Sequence, residues 1–86
     1  MNKGITLKKR QKLILNTLYE INRRGIAASY VDVAGACKLN TNGVSQTLGA
    51  LEDRGLIAEV DVKTSTTRCW WITTHGANAI GKGDSM

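Results

Sequence analysis

Residues 29–57 read SYVDVAGACKLNTNGVSQTLGALEDRGLI, and the rest of the chain is best understood outward from this stretch. Ser29 stands three residues before Asp32, the spacing at which two side chains close reciprocally on the backbone of a helix start. A short helix is expected from about Tyr30 to Lys38, with Val33, Ala34 and Cys37 turned inward. Leu39-Asn40 leaves room only for a tight turn. Thr41 is the expected cap of the next helix, which should run to about Arg54. Its apolar positions Val44, Leu48 and Leu51 fall on one helical stripe. Gly55 supplies a left-handed stop, and Leu56 can fold back on the last turn.

Upstream, Thr6 is the expected cap of a longer helix ending near Arg24, with Leu7, Ile14, Leu15, Leu18 and Ile21 toward the core. Gly25 should end it, with Ile26 packing back. Downstream the period changes. Leu56 to Val62 and Arg68 to Thr73 read as two strands of a hairpin joined by the polar tip Lys63-Thr64-Ser65-Thr66-Thr67. Trp70 and Trp71 should alternate, one inward and one outward. Thr73 or Thr74 should cap a short last helix through Ile80, stopped by Gly81. The expected fold is α+β, mainly α: a three-helix core, a two-stranded β-hairpin wing and a short C-terminal helix. One domain is expected over residues 6–80, with loose ends at 1–5 and 81–86. Two helices joined by so short a turn match a helix-turn-helix.

With 86 residues, 42% of them hydrophobic, the chain can build one modest core. It lacks Phe, so the core must rest on Leu, Ile, Val and Trp. The net charge of +5 is unevenly placed. Residues 1–24 carry seven cations against Glu20 alone, a net of +6, whereas the remainder carries −1. Cys37 and Cys69 lack the spacing of a zinc knuckle or a disulfide scaffold and suit a reducing cytoplasm. No apolar run is long enough for a bilayer, and no secretory leader is legible. The single His75 has no acid pair, nucleophile or phosphate loop around it, so no enzyme and no cofactor is expected.

Val44-Ser-Gln-Thr-Leu48, Leu51-Glu52 and Gly55-Leu-Ile57 resemble the recognition-helix signature of winged-helix transcription regulators of the MarR type. Ser29 to Ala34 is similar to their second-helix pattern, and Trp71-Ile-Thr73 with Gly76 to the end of their wing. The resemblance covers about residues 6–80. It implies a third helix in the major groove of double-stranded DNA and a hairpin on the backbone or adjacent minor groove. The outward residues of that helix, Thr41, Asn42, Gly43, Ser45, Gln46 and Gly49, suit such contacts on their own chemistry. Gln reads adenine bidentately, Ser and Asn read several base edges, and glycines admit close approach. Ser29, at the second-helix cap, joins the same expected surface. Lys63, Thr64, Ser65, Thr66, Thr67 and Arg68 offer cations and hydroxyls to phosphates, with no acid among them. Lys8, Lys9, Arg10 and Lys12 would add a backbone contact if the first helix starts on the DNA side. Members of the family often carry Arg where Gln46 stands, which implies a weaker guanine preference here.

The function expected is that of a small cytoplasmic transcriptional regulator, acting on double-stranded DNA as a homodimer because one small module buries little surface. The competing reading is a winged-helix module that binds a protein partner and makes no DNA contact.

Overall fold

The computed structural model describes residues 7–62 and 68–82. Thr6 and the wing tip Lys63 to Thr67 lie outside the described residues, as do the two expected loose ends apart from Gly81 and Lys82. The elements run α1 (Lys9–Asn22), β1 (Ala28–Ser29), α2 (Tyr30–Cys37), α3 (Thr41–Asp53), β2 (Ile57–Val60), β3 (Cys69–Ile72) and α4 (Thr74–Ala79). The strands form one antiparallel sheet in the order β1-β3-β2. The expected hairpin of β2 and β3 is thus extended to a three-stranded sheet by β1. Its third strand, the two residues before α2, is too short to carry a legible alternation.

Helix boundaries follow local hydrogen bonds. The start of α1 lies at Lys8, later than Thr6, where the Lys8 N–H donates to Gln11 Oε1 at 3.0 Å. The Ser29–Asp32 pair closes as expected: Asp32 N–H donates to Ser29 Oγ at 3.2 Å and Ser29 N–H to Asp32 Oδ2 at 3.1 Å. Lys38 takes the left-handed conformation, φ 59°, and reverses the chain into the turn. Asn40, one residue ahead of the expected Thr41, caps α3 by accepting from the Asn42 N–H at 2.8 Å. Asparagine at this position satisfies a helix-start donor that Thr41, already helical, does not. At the other end of α3, Gly55 has φ +76° and the Leu56 N–H donates to the Leu51 carbonyl, so Leu56 swings fully into the core. The parallel expectation for Ile26 fails. Gly25 is left-handed at φ +84°, yet Ile26 is 54% exposed, because the chain turns straight into β1 and Ala28 takes the buried place.

The core joins all three layers. Ile14, Leu15 and Leu18 of α1, Val33 of α2, Val44, Leu48 and Leu51 of α3, and Leu56, Ile57, Trp70 and Ile72 of the sheet are buried together. Trp70 faces this core, and Trp71, paired across from Ala58, lies half-buried on the other face. The Trp70 Nε1 is buried with no hydrogen-bond partner among the described residues. Thr73 caps α4, accepting from the Gly76 N–H at 3.0 Å, while its own hydroxyl donates to the Gly55 carbonyl at 2.8 Å. α4 packs so close that a side chain at Gly76 would overlap the Leu56 carbonyl.

One polar side chain sits inside this apolar set. Asn22, 4% exposed at the end of α1, donates from Nδ2 to the Ile26 carbonyl at 2.8 Å and to the Trp70 carbonyl at 3.5 Å. Its Oδ1 accepts from the Ile72 N–H at 2.8 Å. The carboxamide thus fixes the last turn of α1 to the loop that follows and to β3. Asn22→Ala would leave buried backbone groups unpaired. It is expected to lower stability by about 3 kcal/mol in urea unfolding, with the slope of the transition unchanged.

Candidate nucleic-acid interface

The tight turn and the apolar stripe of α3 set its outward face. With Val44, Leu48 and Leu51 buried, Thr41, Asn42, Ser45, Gln46 and Ala50 are exposed, and Gly49 lies half-exposed between them. Asn42, Ser45, Gln46 and Gly49 are spaced as one continuous stripe along the helix. None of these side chains is an acid. Glu52 and Asp53 come only in the last turn. A Cβ at Gly49 would meet nothing within 4 Å, so no packing demand explains a glycine there.

Gly43 differs. A Cβ there would lie 3.0 Å from Arg10 Nη1, so the guanidinium of the first turn of α1 rests on the first turn of α3. The space over Gly43, expected to admit an outside ligand, is already occupied by Arg10. Arg10 of the first turn of α1 thus shares a side of the molecule with the start of α3. Lys8, Lys9, Arg10 and Lys12 are all exposed, and none pairs with a carboxylate among the described residues. Sequence reasoning gave these cations only a conditional role, because the angle between α1 and α3 is a tertiary property that periodicity does not encode.

The remaining expected site residues are placed differently. Ser29 is buried, with its hydroxyl accepting the Asp32 N–H, and it pairs with Cys69 in the sheet. It holds the start of α2 in place. Arg68, at the base of β3, has partners that its sequence neighbours did not suggest. Its Nη2 donates to Glu59 Oε1 at 2.8 Å and to Glu52 Oε1 at 3.3 Å. The hydrogen bond to Glu59 raises the guanidinium pKa above its ordinary value, with both carboxylate charges adding to that effect. The group is thus a permanent cation. Lys63, Thr64, Ser65, Thr66 and Thr67 lie outside the described residues.

Among the described residues no group of His, Cys, Asp and Glu could hold a metal ion, and no helix is long and apolar enough to cross a membrane. Cys37 and Cys69 form no disulfide with each other, and Cys37 Sγ lies 3.1 Å from Thr17 Oγ1. His75 is exposed in the first turn of α4.

Because Gly49 packs against nothing, Gly49→Ala should raise stability by about 0.5–1 kcal/mol, the usual gain for alanine over glycine inside a helix. Gly43→Ala should show a smaller gain, because the new methyl must push the end of the Arg10 side chain aside by a few tenths of an ångström. Parallel urea titrations of the two variants check the difference.

No family model matches the sequence, and no curated protein matches it. Solved structures do. MepR, a transcription regulator of the Staphylococcus aureus multidrug efflux pump MepA, aligns with a TM-score of 0.78 at 23% identity over 92% of this chain and 56% of its own. The S. aureus MepR–DNA complex aligns with a TM-score of 0.75 at 25% identity over the same shares. Lactococcus lactis ZitR aligns with a TM-score of 0.74 at 20% identity over 92% of this chain and 52% of its own. The chain thus spans little more than half the length of the proteins it matches. The chain has the fold of the MarR-family winged-helix transcription regulators.

Proposed function

We propose that the protein is a non-catalytic, cytoplasmic regulator that binds double-stranded DNA through α3, with the start of α1 as a second contact on the backbone. The observation that carries this reading is the Arg10 guanidinium resting on Gly43. It sets one exposed cation of the first turn of α1 against the start of the acid-free stripe of α3, with Lys8, Lys9 and Lys12 exposed around the same helix start. Such a surface suits a ligand that combines a regular negative backbone with hydrogen-bonding base edges. The likeness to MepR, one of whose structures is a DNA complex, supports the same reading.

Within it, Gln46 takes the base-reading role, with Asn42 and Ser45 beside it and Gly49 allowing the helix backbone to come close. Thr41 flanks the phosphates at the start of the helix, Arg10 takes the place over Gly43, and Lys8, Lys9 and Lys12 add to the charge facing the adjoining strand. The wing residues Lys63 to Thr67 supply hydroxyls and a cation to the neighbouring groove, the role implied by the MarR-type resemblance.

Two copies would read two half-sites. Leu13, Ile26 and Val31 are exposed large apolar side chains, and they favour a protein contact of some kind in addition to DNA. Sedimentation of the free protein and of its duplex complex counts the copies bound.

Fluorescence-anisotropy titration against random duplex and a selected site, across a salt series, tests the DNA reading. Arg10→Ala should weaken binding to both duplexes alike and reduce the salt slope by about 0.9. Gln46→Ala should weaken the selected site by about 1–3 kcal/mol, with little effect on random duplex. A folded wild-type protein that binds neither duplex at low salt would overturn the proposal and leave the protein-binding module as the reading to pursue.

A further inference from the structure

The base of the wing carries a cluster that the DNA-binding surface does not need. Arg68 precedes β3 and lies on the same face of the sheet as Trp70 and Ile72. At this end the core runs out. Trp70 is 3% exposed, and the Arg68 guanidinium lies 5.0 Å from its ring centroid, within cation–π distance. The same guanidinium reaches Glu59 of β2, which stands directly across from Trp70, and Glu52 in the last turns of α3. One side chain therefore touches the far end of α3 and both strands of the hairpin.

We propose that Arg68 is a positioning residue that fixes the angle between the wing and α3, its guanidinium committed to Glu52 and Glu59 in place of a phosphate. The geometry argues for this in two ways. Two carboxylate oxygens at hydrogen-bond distance on one nitrogen compete directly with any phosphate for the same donor. The partners also come from separate elements, so breaking the cluster frees one element relative to another. A pair within one strand would have no such effect. Exposed ion pairs contribute little singly, but a planar cation shared by two acids and a ring is a network whose members hold one another in place. The consequence for DNA is preorganisation. A wing held at a set angle to α3 meets its groove without being ordered at the moment of binding. Lysine cannot replace arginine here, because a point charge on a flexible stem does not span both acids and lie flat on the indole.

The clasp stands on the contacts alone. Its consequence for affinity rests on the DNA reading proposed above, and the test separates the two. Amide hydrogen exchange of the full chain is measured for wild type, Arg68→Met, Arg68→Lys and Glu59→Gln, followed by duplex titrations of the same proteins across a salt series. Exchange in Ile57–Val60 and Cys69–Ile72 should quicken about threefold to tenfold in all three variants, with α1 amides unchanged. Duplex binding should weaken in all three with the salt slope kept, and Arg68→Lys should not restore it. Unchanged exchange in the strands overturns the clasp. So does a slope reduced by about 0.9 in Arg68→Met, or tighter binding by Glu59→Gln, since each marks Arg68 as a phosphate ligand. Were no protein, wild type included, to bind duplex, the DNA reading would fail and the exchange rates alone would decide the clasp.

Discussion

The carboxamide of Asn22 is the point on which the architecture turns. α1 and β3 are separated by nearly fifty residues of chain, and the apolar contacts between them are tolerant of sliding. A carboxamide is not. It donates to the Ile26 carbonyl and accepts from the Ile72 N–H, so the last turn of α1, the approach to β1 and the central strand must meet in one register. Burying this group without partners would be strongly unfavourable, which excludes the shifted packings that leucine and isoleucine alone would permit. With β3 fixed, β1 pairs on one side and β2 on the other, and Ser29 in β1 becomes the cap that aims α2.

From that frame the placement of α3 follows by short steps. The left-handed Lys38 and the Asn40 cap set the turn, and the stripe of Val44, Leu48 and Leu51 sets the rotation of the helix about its own axis. Everything polar on α3 is then turned outward at its start, and its acids are kept to its end. The two ends of the helix meet different company. The helix, which carries no cation of its own in thirteen residues, meets a cation of α1, Arg10, at its start and gives its Glu52 to a cation of the wing, Arg68, at its end.

Much of this was legible in the sequence, for local reasons. The Ser29–Asp32 pair, Gly55 with Leu56, and the inward stripe of α3 are all encoded within a few residues of where they act, and each forms as its spacing predicts. What escaped is non-local. β1 has two residues and exists only because β3 offers it an edge. Asn22 reads as an ordinary polar residue near a helix end until β3 arrives. Arg68 has no acid beside it in sequence, because its acids come from α3 and from the opposite strand. Ile26 copies the Gly-then-aliphatic pattern of Leu56, yet the chain it leads into is a strand, and the strand decides its exposure. At the candidate interface the polar stripe of α3 was readable from period alone, whereas the adjacency of Arg10 required the packing of two helices.

The open space around Gly49 separates two kinds of change that most proteins cannot keep apart. Asn42, Ser45 and Gln46 are exposed, and among the described residues a Cβ at Gly49 would meet nothing within 4 Å beyond its own helix. Residues there can be exchanged without disturbing a core atom, a cap or a strand pairing. Changes on this one helical stripe should therefore alter folding free energy only through helix propensity, by about 1 kcal/mol or less per residue. The same surface should also be an efficient place to build diversity by design, since variants there would differ in surface chemistry before they differ in whether they fold.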